Sequence, residues 1–258
     1  MSARPIDAAI DAQIDAVSLP AHAADLVERL RGGGPRVHCL MNTVVQKLVA
    51  DGLSALGAIP SMTSSAEEVA GFVRKADALA VNLGTLDPAR REAIHVALAA
   101  AQEAARPWVL DPAHCDYSPP RAAFAQELLA RRPAVLRANA AEYGLLAVPD
   151  GVVAVRTGGS DRVARGDRAL LVANGHAWMA KVTGTGCLSG AVIAAFVAVG
   201  DEPFAAAAAA ILAMGVAAEV AAPHARGPGS FEPALLDALA GLRPDDLLRH
   251  ARVRHEQS

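Results

Sequence analysis

Apolar positions along the chain alternate between two periods. Short continuous apolar runs recur: "RVHCLM", "AIPSM", "ALAVNLG", "PWVLDP", "AVLRAN" and "GVVAVRTGG". Runs of this length bounded by Gly, Pro or Asn predict buried strands. Between them lie segments with apolar residues at helical spacing: "VVQKLVADGLSALG" with Gly57 near its end, "SAEEVAGFVRKA", "PARREAIHVALAAAQEAA" and "PRAAFAQELLARR". In the second of these, Ser65 stands three residues before Glu68, the spacing of a capping box. A short helix over 24–30, ended by "RGGGP", comes before the first strand. "RALLVANGHAWMAKV" reads as two strands around an "NG" turn. Three further helical segments cover 187–199, 204–222 and 231–242. Strand alternating with helix predicts a mostly parallel sheet covered on both faces.

Composition narrows the class. Of 258 residues 53% are hydrophobic and only 3% aromatic, with alanine dominant, which suits a close-packed α/β protein. The net charge of −3 and the lack of any basic run leave no electrostatic footprint for nucleic acid or a membrane surface. The most apolar window, 204–222, is largely alanine and contains Glu219, so it predicts a buried helix rather than a bilayer span. The N-terminus repeats Asp and does not read as a signal peptide. Cys39, Cys115 and Cys187 have no metal spacing, and their odd number argues against a disulfide framework. The expectation is a soluble, cytoplasmic protein.

Ligands of open α/β sheets gather beyond the carboxyl ends of the strands. That rule collects Asn42, Met62, Asn82 to Gly84, Asp111, Asn139 to Glu142, Thr157 to Gly159, and the turn "KVTGTGCLSG". In this turn two glycines and Cys187 open an apolar helix. A helix start leaves amide N–H groups unpaired and carries about half a positive charge. Gly184 and Gly186 would let an anion approach that backbone, and the local field would lower the pKa of Cys187. Cys187 also reads as a small apolar residue packed at a helix start. Asp111 is either a loop cap or a ligand for a hard cation. Glu142 is either the far half of a capping box with Asn139 or a magnesium ligand, since magnesium takes one or two carboxylates with phosphates and water. Arg137 could pair with a phosphate or lie on the surface.

The stretches "MNTVVQKLVADGLSALGAIPSM", "AVNLGTL", "VLDP", "LRANAAE", "VVAVRTGG", "NGHAWMAKVTGTGCLSGAV" and "GPGSFEPALLDAL" resemble, in order and spacing, the hydroxyethylthiazole kinase family of the ribokinase-like superfamily. The resemblance implies a three-layer α/β/α ribokinase-like fold with a mostly parallel sheet. It also implies transfer of phosphate from ATP, with magnesium, to the primary alcohol of 4-methyl-5-(2-hydroxyethyl)thiazole, a thiamine salvage step. Cys187 matches the base, in a position where most of the superfamily has aspartate. Gly184, Met62 and Asn42 match the thiazole pocket; Arg137, Thr157 and Gly186 the nucleotide side; Asp111 and Glu142 the place where magnesium and phosphates are organised. The family is typically a homotrimer with sites between subunits.

Three features depart from the family pattern. "AHCDYSPPR", with His114, Cys115 and Asp116, replaces a glycine-rich loop after Asp111. Only "YGLLAVPDG" joins Glu142 to Val152, and the family's Thr-Gly-Glu is Thr157-Gly158-Gly159. They open two alternatives: a kinase for another small heteroaromatic alcohol, or a binding homologue with weak turnover. The expected organisation is an N-terminal extension (1–30, helical or loosely ordered), one kinase domain (31–245) and a polar tail (246–258).

Overall fold

The computed structural model describes residues 14–256. In chain order its first half comprises α1 (Leu19–Gly33), β1 (Arg36–Leu40), α2 (Gln46–Leu56), β2 (Ile59–Ser61), α3 (Val69–Lys75) and β3 (Ala78–Asn82). Then come α4 (Pro88–Glu103), β4 (Trp108–Asp111), α5 (Pro119–Leu129), β5 (Val135–Asn139) and α6 (Ala140–Tyr143). Strands β6 (Val153–Thr157), β7 (Asp161–Arg165) and β8 (Arg168–Val172) follow directly on one another. Helices α7 (Thr185–Val199), α8 (Pro203–Ala221), α9 (Pro228–Gly241) and α10 (Pro244–His250) lead to β9 (Val253–His255).

All nine strands form one sheet in the order β2-β1-β3-β4-β5-β6-β7-β8-β9. The pairs from β2 through β6 are parallel and those from β6 to β9 antiparallel. Side chains alternate between the two faces of a strand. In β3, Ala78 and Ala80 join a core built with α1, α2, α7, α8 and α9, while Leu79 and Val81 join a second core with α3, α4 and α5. These are the three layers expected. Small residues on the first face let the alanine-rich α7 and α8 lie close to the sheet. Among the described residues one helical stretch, Pro203–His224, is long and apolar enough to cross a membrane, and 89% of its most apolar window is buried inside the protein.

The structure adds to the expected organisation at both ends of the chain and corrects two local expectations. First, the part of the 1–30 extension that is described belongs to the body of the protein: α1 buries Leu19, Leu26, Val27 and Leu30 completely and packs on α8, α10 and α7. Residues 1–13 lie outside the described residues. Second, the 246–258 tail is not separate, since β9 adds an edge strand on β8. Its outward charges hide it, because an edge strand needs only backbone to pair. Third, the "NG" hairpin is absent. β8 ends at Val172, and Ala177–Lys181 is a 3-10 turn. The hairpin lies one strand earlier, where Gly166 (φ 58°) turns β7 into β8. Fourth, α3 begins after Glu68, and the Glu68 carboxylate takes the Thr63 hydroxyl rather than a Ser65 capping amide.

Candidate active site

The start of α7 is the centre of the site. Gly184 is its N-cap with φ 97°, and no side chain caps the helix. A Cβ on Gly184 would stand 2.7 Å from Val45 Cγ1, so both the backbone angle and the space require glycine. The amides of residues 185–187 precede the first bond of the helix, Leu188 N to Gly184 O, and thus face outward as donors. The Thr185 hydroxyl donates to Met179 O at 2.6 Å, which ties the turn to the preceding segment.

Cys187 is half-buried at the floor of a cleft of about 560 Å³, lined also by Asn42, Asp111, Arg137, Glu142 and Gly184. Asn82 Nδ2 donates to its sulfur at 3.2 Å and to Asp111 Oδ2 at 2.7 Å. Asn42 Nδ2 reaches the sulfur at 3.7 Å and donates to Asn82 Oδ1 at 3.1 Å. Sheet register explains the meeting of these groups, since Asn82 pairs with Asp111 across β3 and β4. From α4, the buried Arg90 guanidinium donates to the carbonyls of Met41 and Asn82, fixing two strand ends together.

The expected lowering of the Cys187 pKa is overturned. Burial is the largest cause and pushes the thiol up to about 12, and the neighbouring charge of Asp111 adds to this. Arg137 and the Asn82 amide pull the other way and do not prevail. The sulfur lies too deep for the helix start to keep it ionised.

Arg137 separates two compartments. Its guanidinium lies 3.6 Å from Asp111 Oδ1, with 12% of the side chain exposed, and donates to Thr157 Oγ1 at 2.8 Å. It rests on Gly186, where a Cβ would meet Nη2 at 2.7 Å. Beyond it a second cleft of about 590 Å³ is lined by Thr157 to Gly159, Asp161, Asn174 to Ala177 and Gly215. Burial raises the Asp161 pKa, against the Gly158 amide that it accepts at 2.9 Å.

Glu142 settles toward its capping role. It exchanges hydrogen bonds with Asn139 in a complete capping box and also accepts the His114 amide at 2.7 Å. It nevertheless lines the Cys187 cleft, where its carboxylate stays available as an oxygen donor. Of the residues to which the resemblance gives a role, Met62 alone lines neither cleft; it is half-buried beyond β2. Several residues of the site escape sequence reasoning. Asn82, fully buried against the Cys187 sulfur, stands among the strand ends without an assigned role, and its register with Asp111 is the signal that marks it. Asn174 and Gly175 read as a hairpin turn and line the second cleft instead. Arg121, whose Nη1 donates to Ala113 O, lines the Cys187 cleft and gives no signal in the sequence.

Known proteins resemble this chain in sequence and in fold. The sequence model of the hydroxyethylthiazole kinase family matches residues 27–151 and 143–245. A probable hydroxyethylthiazole kinase of Agrobacterium fabrum is 56% identical over 92% of this chain and 96% of its own length. A hydroxyethylthiazole kinase of Serratia proteamaculans is 40% identical over 88% of this chain and 96% of its own. The solved structure of the hydroxyethylthiazole kinase protein from Pyrococcus horikoshii superposes with a TM-score of 0.87, at 34% identity, over 91% of this chain and 99% of the other. A pyridoxal kinase of Staphylococcus aureus, at 15% identity and a TM-score of 0.57 over 72% of this chain and 88% of its own, shares the fold. With the family model covering most of its length and relatives at 56% and 40% identity, this chain belongs to the hydroxyethylthiazole kinase family.

Proposed function

We propose that this protein transfers the γ-phosphoryl group of ATP to the primary alcohol of 4-methyl-5-(2-hydroxyethyl)thiazole, as a soluble cytoplasmic enzyme of thiamine salvage. The observation that carries the reading is the meeting of two clefts at Arg137 and the start of α7, with Cys187 on one side and Thr157 on the other. ATP occupies the Thr157 side and the alcohol the Cys187 side, so the phosphoryl group crosses at Gly184–Cys187.

Phosphoryl transfer asks the protein mainly for positioning and charge compensation. The outward amides at 185–187 and the Arg137 guanidinium supply fixed donors where negative charge shifts. Oxygen donors at the cleft fit a hard cation: Asp111 and Glu142 are buried carboxylates that each keep lone pairs beyond the donors they accept. Asp111 and Glu142 would hold magnesium there, and the ion would supply positive charge beside the phosphates.

A thiol near pKa 12 keeps its proton at neutral pH, so Cys187 does not act as a ready thiolate. Asp111, tied to the sulfur through the Asn82 amide that donates to both, supports a relay instead. As the alcohol oxygen bonds to phosphorus, its proton passes to the sulfur while the thiol proton passes to the Asp111 carboxylate. Asn82 and Asn42 hold the sulfur in place. This keeps a cysteine in the base position and gives Asp111 a share in the chemistry.

A homotrimer with sites between subunits fits one feature of the alcohol side. Val44 lines that cleft yet is 70% exposed. A neighbouring copy would cover it and bring Met62 to a shared pocket. Light scattering on the purified protein checks the assembly.

One observation favours a second substrate. Ala113 (φ 31°) and His114 (φ 60°) hold left-handed backbone without glycine, and His114 reaches the alcohol-side cleft. The reading is tested by ADP release with magnesium and ATP across a panel of small alcohols. Release that depends on the thiazole alcohol supports it. A clear preference for another alcohol shifts the substrate, and no alcohol-dependent release with any member rejects the kinase.

A further inference from the structure

Two features remain outside this chemistry: the single acid of the apolar helix α8, and the "NG" pair that forms no hairpin. They meet. Glu219 accepts the Gly175 amide at 2.7 Å and both of its oxygens take Asn174 Nδ2 at 3.2 Å. Gly215, one turn earlier on α8, lets Asn174 lie on the helix backbone, since a Cβ there would stand 2.7 Å from Asn174 O. Gly175 has φ 145°, the left-handed region open to glycine.

The outer side of this cluster is closed by the segment just before β9. Arg252 forms a two-point fork on Glu219, at 2.5 Å and 3.0 Å, and also donates to Ala173 O at 2.9 Å. Its amide donates to Asn174 Oδ1 at 2.7 Å, its carbonyl accepts the Ala173 amide at 2.9 Å, and His250 O accepts Asn174 Nδ2 at 2.7 Å. Every polar atom of the Asn174 side chain is thus committed, although Asn174 lines the Thr157-side cleft together with Ala173, Gly175 and Gly215. Arg252 itself does not line the cleft; it holds the wall from behind. It also lies past residue 245, where the family match ends.

We propose that Arg252 is a positioning residue for nucleotide binding: through Glu219 it holds Asn174 and Gly175 as the rigid wall of the ATP compartment. The proposal rests on the reading that ATP occupies the Thr157 side. A fork between a guanidinium and a carboxylate fixes geometry as well as charge, which lysine cannot reproduce. Loss of the fork frees the 173–175 wall, so each nucleotide bound must order it again and affinity falls.

The experiment compares wild type with Arg252→Ala, Arg252→Lys and Glu219→Gln. It measures kcat, KM for ATP and KM for the thiazole alcohol, with direct titration of a fluorescent ADP analogue. Arg252→Ala is expected to weaken ADP binding and raise KM for ATP by about tenfold, the scale of a lost charge-assisted bond. KM for the alcohol and kcat at saturation stay within about twofold, because those groups lie across Arg137. Lysine restores only part of the loss, and Glu219→Gln falls between. Unchanged ADP affinity in Arg252→Ala overturns the proposal, as does an equal loss on the alcohol side, which would mark a merely structural role. Wild type that binds no ADP analogue rejects the ATP compartment itself, and the clamp with it.

Discussion

The two clefts flanking Arg137 are built by different rules. The alcohol side stands at the ends of parallel strands: Asn42 after β1, Asn82 and Asp111 at the ends of β3 and β4, and Cys187 on the helix that packs beneath them. Parallel strands in register bring their carboxyl ends to one line, so residues distant in sequence converge without loops to steer them. The nucleotide side borrows Thr157 from the end of β6, but its far wall comes from the antiparallel region after β8 and from the middle of α8. Asn174 follows the carboxyl end of β8, which two antiparallel pairings turn back to the direction of β6, but no strand-end rule reaches Gly215 in the middle of α8. There the chain reverses through hairpins, and the wall is held by a network from the segment leading into β9.

This comparison can be broken at four places. The largest effect is expected from Cys187→Ala, which removes the proton relay: kcat falls about 10²–10⁴-fold, the usual worth of general-base assistance. Titration with a fluorescent ADP analogue then stays near wild type, since the sulfur lies on the alcohol side. Coupled loss of both would merge the two clefts into one functional unit. Arg137→Met comes next, with a drop of about 10²-fold in kcat and weaker nucleotide binding, because fixed charge at the crossing point serves both sides. Stopped-flow binding and steady-state rates read the two effects separately.

The third test is chemical. A thiol raised to about 12 has a thiolate fraction that grows about tenfold per pH unit throughout the range from pH 7 to pH 10. Alkylation of Cys187 by iodoacetamide, located by peptide mass spectrometry, should climb across that whole range without a plateau. Asp111→Asn removes a raising charge, so the pKa falls and alkylation at a fixed pH speeds up, while burial keeps it below the rate of a free thiol. A plateau below pH 9 in wild type would restore the activated thiolate. The smallest effect is expected from Thr157→Val, which deletes the acceptor for Arg137 and raises KM for ATP by about fivefold with kcat nearly kept.

The same contrast decides what is legible in the sequence. Most strands from β1 to β6 announce themselves as apolar runs ending in Asn, Asp or Gly, and seven residues that stand out by sequence context line the alcohol-side cleft: Asn42, Asp111, Arg137, Glu142, Gly184, Gly186 and Cys187. Chemistry at those positions is harder to read. Charge at a helix start argues for a thiolate only when the sulfur meets solvent, and its burial beside Asp111 reverses the sign. The antiparallel region misleads because "NG" is a local signal, whereas Asn174 is held by Glu219 and Arg252, 45 and 78 residues away. Strand β9 and the N-terminal part of α1 are hidden for a related reason. Their burial depends on what covers them, and a polar or short segment carries no trace of its cover.

The most direct test of the account is a crystal structure with a non-hydrolysable ATP analogue, magnesium and the thiazole alcohol bound together. The account predicts the γ-phosphate against the amides of residues 185–187 beside Arg137. It predicts the alcohol oxygen within about 3.5 Å of Cys187 Sγ, the reach of a proton transfer to sulfur. A γ-phosphate bound away from the start of α7, or an alcohol oxygen facing a group other than Cys187, would contradict it.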